Sequence, residues 1–363
     1  MTGHVETIEI ADWGKLSPEP LVSVTMLAYR HEKFIAQAIE SIIEQQCNFP
    51  IEIIIGEDCS PDRTREIVLS YQQRYPQLIR VLTSDKNIGM QANAARCAAA
   101  SRGKYRASCE GDDYWCDPTK LTRQIAVFER YPDCVLVFHA AKTVDANTEH
   151  EGVTGRRSPY SRMIRAEEVI LGDGGFIPTA SILLKVMPGL DPDWVVNAIV
   201  PDYALQLRAT QLGRIAYIDR TMSIWRVNVP HSWSNRHTAE FSYQTNHARQ
   251  IEGMFDEFLL SGGFRYRKEA ASMVSKYYSD ALVRLPTKRE EARQIYEQVT
   301  GKLIGADLLL SWLASNHGIR LPRIKTIIRK IHSLLRLTYS LLATQRIEDT
   351  QPPSTLPPPS QSA

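Results

Sequence analysis

Much is missing from this sequence of 363 residues, and each absence removes a class of function. No stretch approaches the ~18 consecutive apolar residues of a membrane-crossing helix. The opening, "MTGHVETIEIADWGKLSPEP", has no basic n-region and no apolar h-region, so no secretion signal is expected. The net charge is only +2, too small for a field that would gather nucleic acid, and no nucleic-acid partner is expected. None of the six cysteines (Cys47, Cys59, Cys97, Cys109, Cys116, Cys134) forms a Cys-x-x-Cys pair, which argues against a zinc or thioredoxin-like site. Without a secretion signal they read as reduced, mostly buried thiols of a cytosolic protein. No internal repeat is visible.

What is present is an alternation. "LVSVTMLAY" is a short apolar, β-branched run, and "EKFIAQAIESIIEQQ" repeats its apolar residues at helical spacing. "IEIIIGED" and "LIRVLTS" read as further strands, separated by the helix of "SPDRTREIVLSYQQRYP". After the helix of "NIGMQANAARCAAASRG", "KYRASCEGDDYW" is a strand running into acids. "DPTKLTRQIAVFERYPD" is a helix with Asp117 as N-cap before Pro118, and "CVLVFHA" is another strand. Strands alternating with single helices predict an α/β fold with a parallel sheet and right-handed crossovers. Ligands bind outside the carboxyl ends of such strands. Those ends carry Ala28-Tyr29-Arg30, Glu57-Asp58, Asp85 to Gly89 and Glu110 to Asp113, so acids converge on one crevice.

The triplet Glu110, Asp112, Asp113 is therefore the most informative feature. Carboxylates crowded in one partly dry site cannot all stay ionised unless a cation compensates them. Hard divalent cations, Mg²⁺ or Mn²⁺, take oxygen ligands and bridge carboxylates to substrate phosphates. Asp113 taken alone reads equally as a turn residue near a helix start.

The second half is less regular. No pattern stands out from about residue 144 to 165. "AEEVILGDGG" reads as a short helix with a Gly-rich end, "FIPTASILLK" as a strand and "PDYALQLRATQLG" as a helix with Asp202 in its first turn. "RIAYIDRTMSIWRVN" reads as a strand pair. From about residue 238 the chain is helical. The last helix aligns Ile324, Ile327, Ile328, Ile331, Leu334 and Leu335 on one face and Arg323, Arg329, Lys330 and Arg336 on the other. It either packs on its neighbours or lies on an anionic membrane surface through residues 319–346. The tail 351–363 is Pro/Ser-rich and expected to be disordered. His31, at a helix start, and His139, at a strand end, read as structural.

As a set and in order, "LVSVTMLAYRHEKFIAQAIESIIEQ", "IEIIIGEDCSPDRTREIV", "NIGMQANAARCAAASRGKY" and "CEGDDYWCDPTKLTRQ" resemble successive blocks of a family 2 glycosyltransferase. The resemblance is specific over residues 20–131 and weaker to about residue 235. It implies a GT-A fold: a Rossmann-like, mixed and mostly parallel sheet flanked by helices, with a C-terminal helical extension. The implied organisation is an N-terminal extension (1–19), a catalytic domain (20–237), a helical region (238–350) and the tail (351–363).

The resemblance implies that Ala28, Tyr29 and Glu32 contact the base and ribose, that Asp58 binds the uracil or ribose, and that Asn87 and Gly89 form a turn beside the nucleotide. Glu110 and Asp112 occupy the Asp-x-Asp register, Glu110 with Gly111 towards the ribose and Asp112 on the metal, with Asp113 extending the set. Arg30 stands where close relatives often have Asn. Asp202 resembles the family's base at a helix start, with Asp193 as rival. Thr179 and Ser181 match a strand lining the acceptor cleft. In "WRVNVPHSWSN", Arg226 would reach the leaving phosphate, His231 the diphosphate or metal, and Trp233 a sugar face.

The implied activity is metal-dependent, inverting transfer of a sugar from a nucleotide-diphosphate donor, UDP foremost, to a glycan or lipid-linked acceptor in surface polysaccharide assembly, at the inner face of the cytoplasmic membrane. The residues also leave open a sugar-phosphate nucleotidyltransferase, a non-catalytic sugar-nucleotide scaffold and a membrane-targeting module. The first is disfavoured because "LAYRHEKF" is not a Gly-rich basic loop.

Overall fold

The computed structural model describes residues 6–148, 150–230, 232, 241–284 and 296–304. Among the described residues eleven strands, whose ranges follow, form one sheet: nine lie in the order β1-β4-β3-β2-β5-β10-β7-β11-β6, while β8 pairs with β7 and β9 with β11. The amino-terminal half alternates as expected: β2 (Val22–Ala28), α1 (Ile35–Ile43), β3 (Ile51–Glu57), α2 (Thr64–Arg74), β4 (Ile79–Thr83), α3 (Met90–Ala100) and β5 (Tyr105–Ser108). In it β4, β3, β2 and β5 are parallel neighbours. Helix α1 is nine residues long, too short to persist alone. Its stripe of Ile35, Ala38, Ile39 and Ile42 is fully buried in the main core. At about 1.5–3 kcal/mol for each buried isoleucine, that stripe rather than helix propensity holds α1 in place.

The other half mixes directions. It comprises β6 (Tyr114–Trp115), α4 (Lys120–Arg130), β7 (Cys134–Asp145), β8 (Glu151–Thr154), β9 (Arg162–Ile164), α5 (Ala166–Leu171), β10 (Leu183–Lys185), α6 (Asp193–Val196), α7 (Pro201–Leu212) and β11 (Arg214–Val227). Strand β10 runs antiparallel between β5 and β7, and β11 runs parallel to β7. The whole is a mixed, mostly parallel sheet flanked by helices. Helices α8 (Phe241–Phe258) and α9 (Arg267–Arg284) pack with α5, α6 and α7 around a second core that includes Tyr203, Leu207, Phe255 and Met273.

Several sequence expectations need correcting. Residues 214–227 form one long strand instead of a pair, because irregularities near Ile218 and Thr221 bend it without ending it. Residues 179–181 form a 3₁₀ turn, not a strand, and only 183–185 pair with the sheet. His139 lies in mid-strand rather than at a strand end. Strands β8 and β9 were missed because they are short and carry little buried apolar surface. The segment before residue 20 is joined to the sheet: β1 (Ile8–Ile10) pairs with β4, and Arg80 reaches Glu9 at 2.8 Å. Arg80 also meets the buried Glu52 at 2.9 Å, and Trp13 covers both Arg80 and Arg102. The basic last helix and the tail lie outside the described residues, as do His231 and Trp233.

Candidate active site

The acids of the fourth block are brought together as their spacing implies. Glu110, Asp112 and Asp113 each offer a carboxylate oxygen, all within 4.8 Å of one another. The turn is held close to β2, where the Gly111 amide donates to the Leu27 carbonyl at 2.9 Å. A Cβ on Gly111 would stand 2.7 Å from His31 Nδ1 and 2.7 Å from Ile35 Cδ1, so the approach requires glycine. Trp115 anchors the far end: its amide donates to Ser41 of α1, and its indole donates to the Ala180 carbonyl at 3.0 Å.

The electrostatics are those of uncompensated carboxylates. Burial, then Asp112 and Asp202, push Glu110 up to about 8. Burial, then Asp112 and Glu110, push Asp113 well above the usual range, although the Arg226 amide donates to it at 2.9 Å. Three clustered oxygen donors that resist ionisation suit a hard divalent cation. His31 also faces the cluster, its Nε2 3.8 Å from an Asp112 oxygen and its Nδ1 buried without a partner among the described residues. Sequence reasoning read His31 as purely structural. The signal available was its place immediately after the first strand-end loop.

Arg226 joins the same turn. Its guanidinium donates to the Asp112 carbonyl at 2.5 Å and to the Gln37 side chain, and it lies over the rings of Phe34 and Tyr114. It thus clamps the acidic turn to α1.

A cavity of about 580 Å³ opens in front of these groups. Glu110, Asp112, Asp113, Thr179, Arg226 and Asp202 all line it. Asp202 stands in the first turn of α7, where Pro201 supplies the fixed φ of a helix start. Thr179 donates its hydroxyl to Asp202 Oδ2 at 3.1 Å, and the Tyr203 amide donates to Oδ1 at 2.9 Å. Burial raises the Asp202 carboxyl despite both bonds. Ser181 does not line the cavity; its hydroxyl turns inward to the Pro178 carbonyl. Asp193 is exposed outside the cavity walls, and its neighbour Asp191 lines them instead, paired with Arg106.

The other expected nucleotide-side residues, Ala28, Tyr29, Glu32, Asp58, Asn87 and Gly89, form a second group in the loops after β2, β3 and β4, outside the cavity walls. Asp58 is 3% exposed, and its two oxygens accept the amides of Ile88 and Gly89, while its carbonyl accepts Asn87. Gly89 has φ +85°, so this turn needs glycine. Glu32 accepts the Arg63 amide, joining the first loop to α2, and Asp58 donates its amide to the Ala28 carbonyl. Tyr29 carries the Arg30 guanidinium over its ring. Arg30 has φ +60°, a left-handed conformation that asparagine tolerates better than most residues.

Sequence reasoning missed another part of the cavity lining. Asp173, Trp225, Tyr243, His247, Lys276 and Tyr277 line it, from the α5–β10 connection, β11, α8 and α9. Among the described residues no helix is long and apolar enough to cross a membrane.

Comparison with known proteins bears on the family and the fold. The sequence model described as "Glycosyl transferase family 2" matches residues 23–185. An uncharacterised protein of Mycobacterium tuberculosis is 31% identical over 278 residues, covering 75% of this chain and 78% of that one. An uncharacterised glycosyltransferase of Nostoc is 27% identical, covering 71% and 82%. The structure of S. aureus TarS residues 1–349 in complex with UDP-GlcNAc superposes with a TM-score of 0.59 at 15% identity, covering 82% and 89%, and shares the fold. These findings set the nucleotidyltransferase alternative aside. With its acids and Asp202 around one cavity on a GT-A sheet, the chain belongs to glycosyl transferase family 2 and is a glycosyltransferase.

Proposed function

We propose that the chain transfers a sugar, with inversion, from a nucleotide-diphosphate donor to a hydroxyl of a glycan or lipid-linked acceptor in surface polysaccharide assembly. The observation that carries this reading is Asp202: a carboxylate whose basicity is raised by burial, held by Thr179 and the Tyr203 amide, in one cavity with the acidic turn. A general base needs that raised basicity and fixed position. Asp202 would take the acceptor proton as the acceptor oxygen bonds to the anomeric carbon and the bond to the nucleoside diphosphate breaks. Asp112, with Asp113 and Glu110, would hold Mn²⁺ or Mg²⁺. When bound, the cation supplies neutralisation of the charge that gathers on the departing diphosphate.

Ala28, Tyr29, Glu32, Glu110 and Gly111 would take the nucleoside beside the turn that Asp58, Asn87 and Gly89 hold together. A uridine donor is the foremost reading, supported by the UDP-GlcNAc in the TarS structure. Arg226 would serve the diphosphate, with His231 and Trp233 as further contacts. An inner-membrane-face location through residues 319–346 belongs to the same proposal.

A thermal-shift screen of nucleoside diphosphates and nucleotide sugars, with and without Mn²⁺, tests the donor site. A ligand at about 100 times its Kd stabilises by about 2.7 kcal/mol. The proposal expects one nucleotide to raise Tm only with metal. If no nucleotide shifts Tm in either condition, the donor assignment fails.

A further inference from the structure

We propose that helices α8 and α9 build the acceptor subsite, and that it takes an uncharged sugar ring rather than a phosphate- or carboxylate-bearing one. This rests on the glycosyl-transfer reading above, with Asp202 as base.

The first observation is aromatic. Tyr243 and His247 stand one turn apart on α8 with near-parallel rings, 6.0 Å between centroids and 14° between planes. Tyr277 of α9 tilts against His247 at 5.7 Å. All three line the cavity, and so does Trp225, which is 38% exposed. Exposed faces of such rings take the C–H face of a pyranose. His247 Nδ1 is buried with no hydrogen-bond partner among the described residues. A buried polar atom of this kind on a cavity wall is costly unless a ligand meets it.

The second observation is charge. Among the described residues, the cavity is lined by seven carboxyl groups against three cations; burial holds Glu110 and Asp113 back from ionising, so the negative charge on the side of α8 and α9 comes from Asp173, Asp191 and Asp280. Each cation is already engaged. Arg106 holds Asp191, and Arg226 holds the acidic turn. Lys276 holds Asp173 at 2.8 Å and Asp280 at 3.7 Å. A metal at Asp112 would be held by the acidic turn itself, leaving Asp173, Asp191 and Asp280 with only the cations that already pair with them. An anionic acceptor would meet carboxylates with no cation to spare, and like charges in a partly dry site repel strongly. Sugar hydroxyls, by contrast, donate well to carboxylates.

The third observation is position. Asp173 is close enough to influence Asp202, His247 and Tyr277 alike, which places the aromatic wall beside the base. A ring resting there would bring a hydroxyl towards Asp202.

Saturation-transfer NMR on the full chain, with UDP and Mg²⁺ present, tests this. The neutral probes are p-nitrophenyl glucoside, galactoside, mannoside and N-acetylglucosaminide. The charged probes are p-nitrophenyl glucuronide and glycerol 3-phosphate. At least one neutral glycoside is expected to bind, and about tenfold more tightly than either charged probe. His247→Phe keeps a ring and removes the polar atom, and Tyr277→Leu removes a face; each is expected to weaken that glycoside about tenfold. Asp280→Lys, at a side chain 47% exposed, is expected to narrow or reverse the preference against the charged probes. Nucleotide signals read the donor site separately, so its failure would show independently. The inference is overturned if no neutral glycoside binds, if the charged probes bind as well as the neutral ones, or if all three variants behave as wild type.

Discussion

Lys120 lies buried against Trp115, the residue that anchors the acidic turn, and its replacement by methionine makes a quantitative test of how that region is held. Its side chain is fully buried. Its ammonium donates to Gln124 Oε1 at 2.9 Å and lies 3.9 Å from the centre of the Trp115 ring, with no carboxylate paired to it among the described residues. Burial pulls the ammonium down from 10.5 to about 7. At about 1.4 kcal/mol per pH unit, that shift is about 5 kcal/mol against the charged form in the folded protein. The folded state therefore sheds this proton near pH 7, while the unfolded chain keeps it to about 10.5. Between those values the unfolded state binds more protons, so this group makes stability rise with pH.

Lys120→Met removes that dependence and, below pH 7, most of the penalty. It also forfeits the attraction to Trp115, up to about 2 kcal/mol, and leaves Gln124 Oε1 unpaired at about 1–3 kcal/mol. The variant should thus match or exceed wild type by about 0–2 kcal/mol at pH 7. Its advantage should fall by about 1.4 kcal/mol per unit from pH 7 to 9. Urea unfolding of both proteins at pH 7, 8 and 9 reads the difference, in which other titrating groups cancel. A loss above about 3 kcal/mol at pH 7, with no change in the difference across pH, would refute the reasoning. The ammonium would then be stabilising where it lies.

Two further outcomes follow from the acidic turn. Gly111→Ala drives a Cβ into His31 and Ile35 and should cost about 1–3 kcal/mol in unfolding free energy, with Mn²⁺ binding weakened because the turn shifts off β2. Burial pushes Glu110 up to about 8, so it holds its proton near neutrality, and burial raises Asp113 as well, so metal must displace protons. Mn²⁺ affinity should rise from pH 6 to about 8, and calorimetry in two buffers of different ionisation enthalpy should show proton release. For the metal-free protein the sign is the opposite of Lys120's: these raised acids lower stability as pH climbs towards 8.

How much of this was legible in the residues depended on where each contact is made. The βαβ alternation, and the placing of Asp58, Glu110 and Asp112 at strand ends, follow from local periodicity and from where parallel strands end; the expected single crevice did not hold, because Asp58 turns its oxygens to the Ile88 and Gly89 amides outside the cavity. Asp202 could be placed because a helix start is a local signal. The wall made by Asp173, His247, Lys276 and Tyr277 could not. Those residues meet through the packing of α8 and α9 on α5 and α7, over a hundred residues apart for the Lys276–Asp173 pair. Periodicity marks the buried stripe of such helices and says little about which polar residues turn to a cavity. Residues 214–227 misled for a related reason, since polar residues at an irregularity look like a turn in sequence, yet pairing with β7 carries the strand on through the bend. Ser181 misled because a hydroxyl on a short turn can satisfy itself on its own backbone.

The central claim is that Asp112 and Asp202 divide the work of one cavity, Asp112 for the cation and donor and Asp202 for the proton. Single-turnover rate and nucleotide affinity, measured with Mn²⁺ in wild type, Asp112→Asn and Asp202→Asn, test it most directly with the nucleotide sugar found by thermal shift. The account predicts that Asp202→Asn binds nucleotide and metal as wild type does yet transfers about 10²–10⁴-fold more slowly, whereas Asp112→Asn loses metal-dependent nucleotide binding. Wild-type transfer by Asp202→Asn, or metal-dependent nucleotide binding untouched in Asp112→Asn, would contradict it.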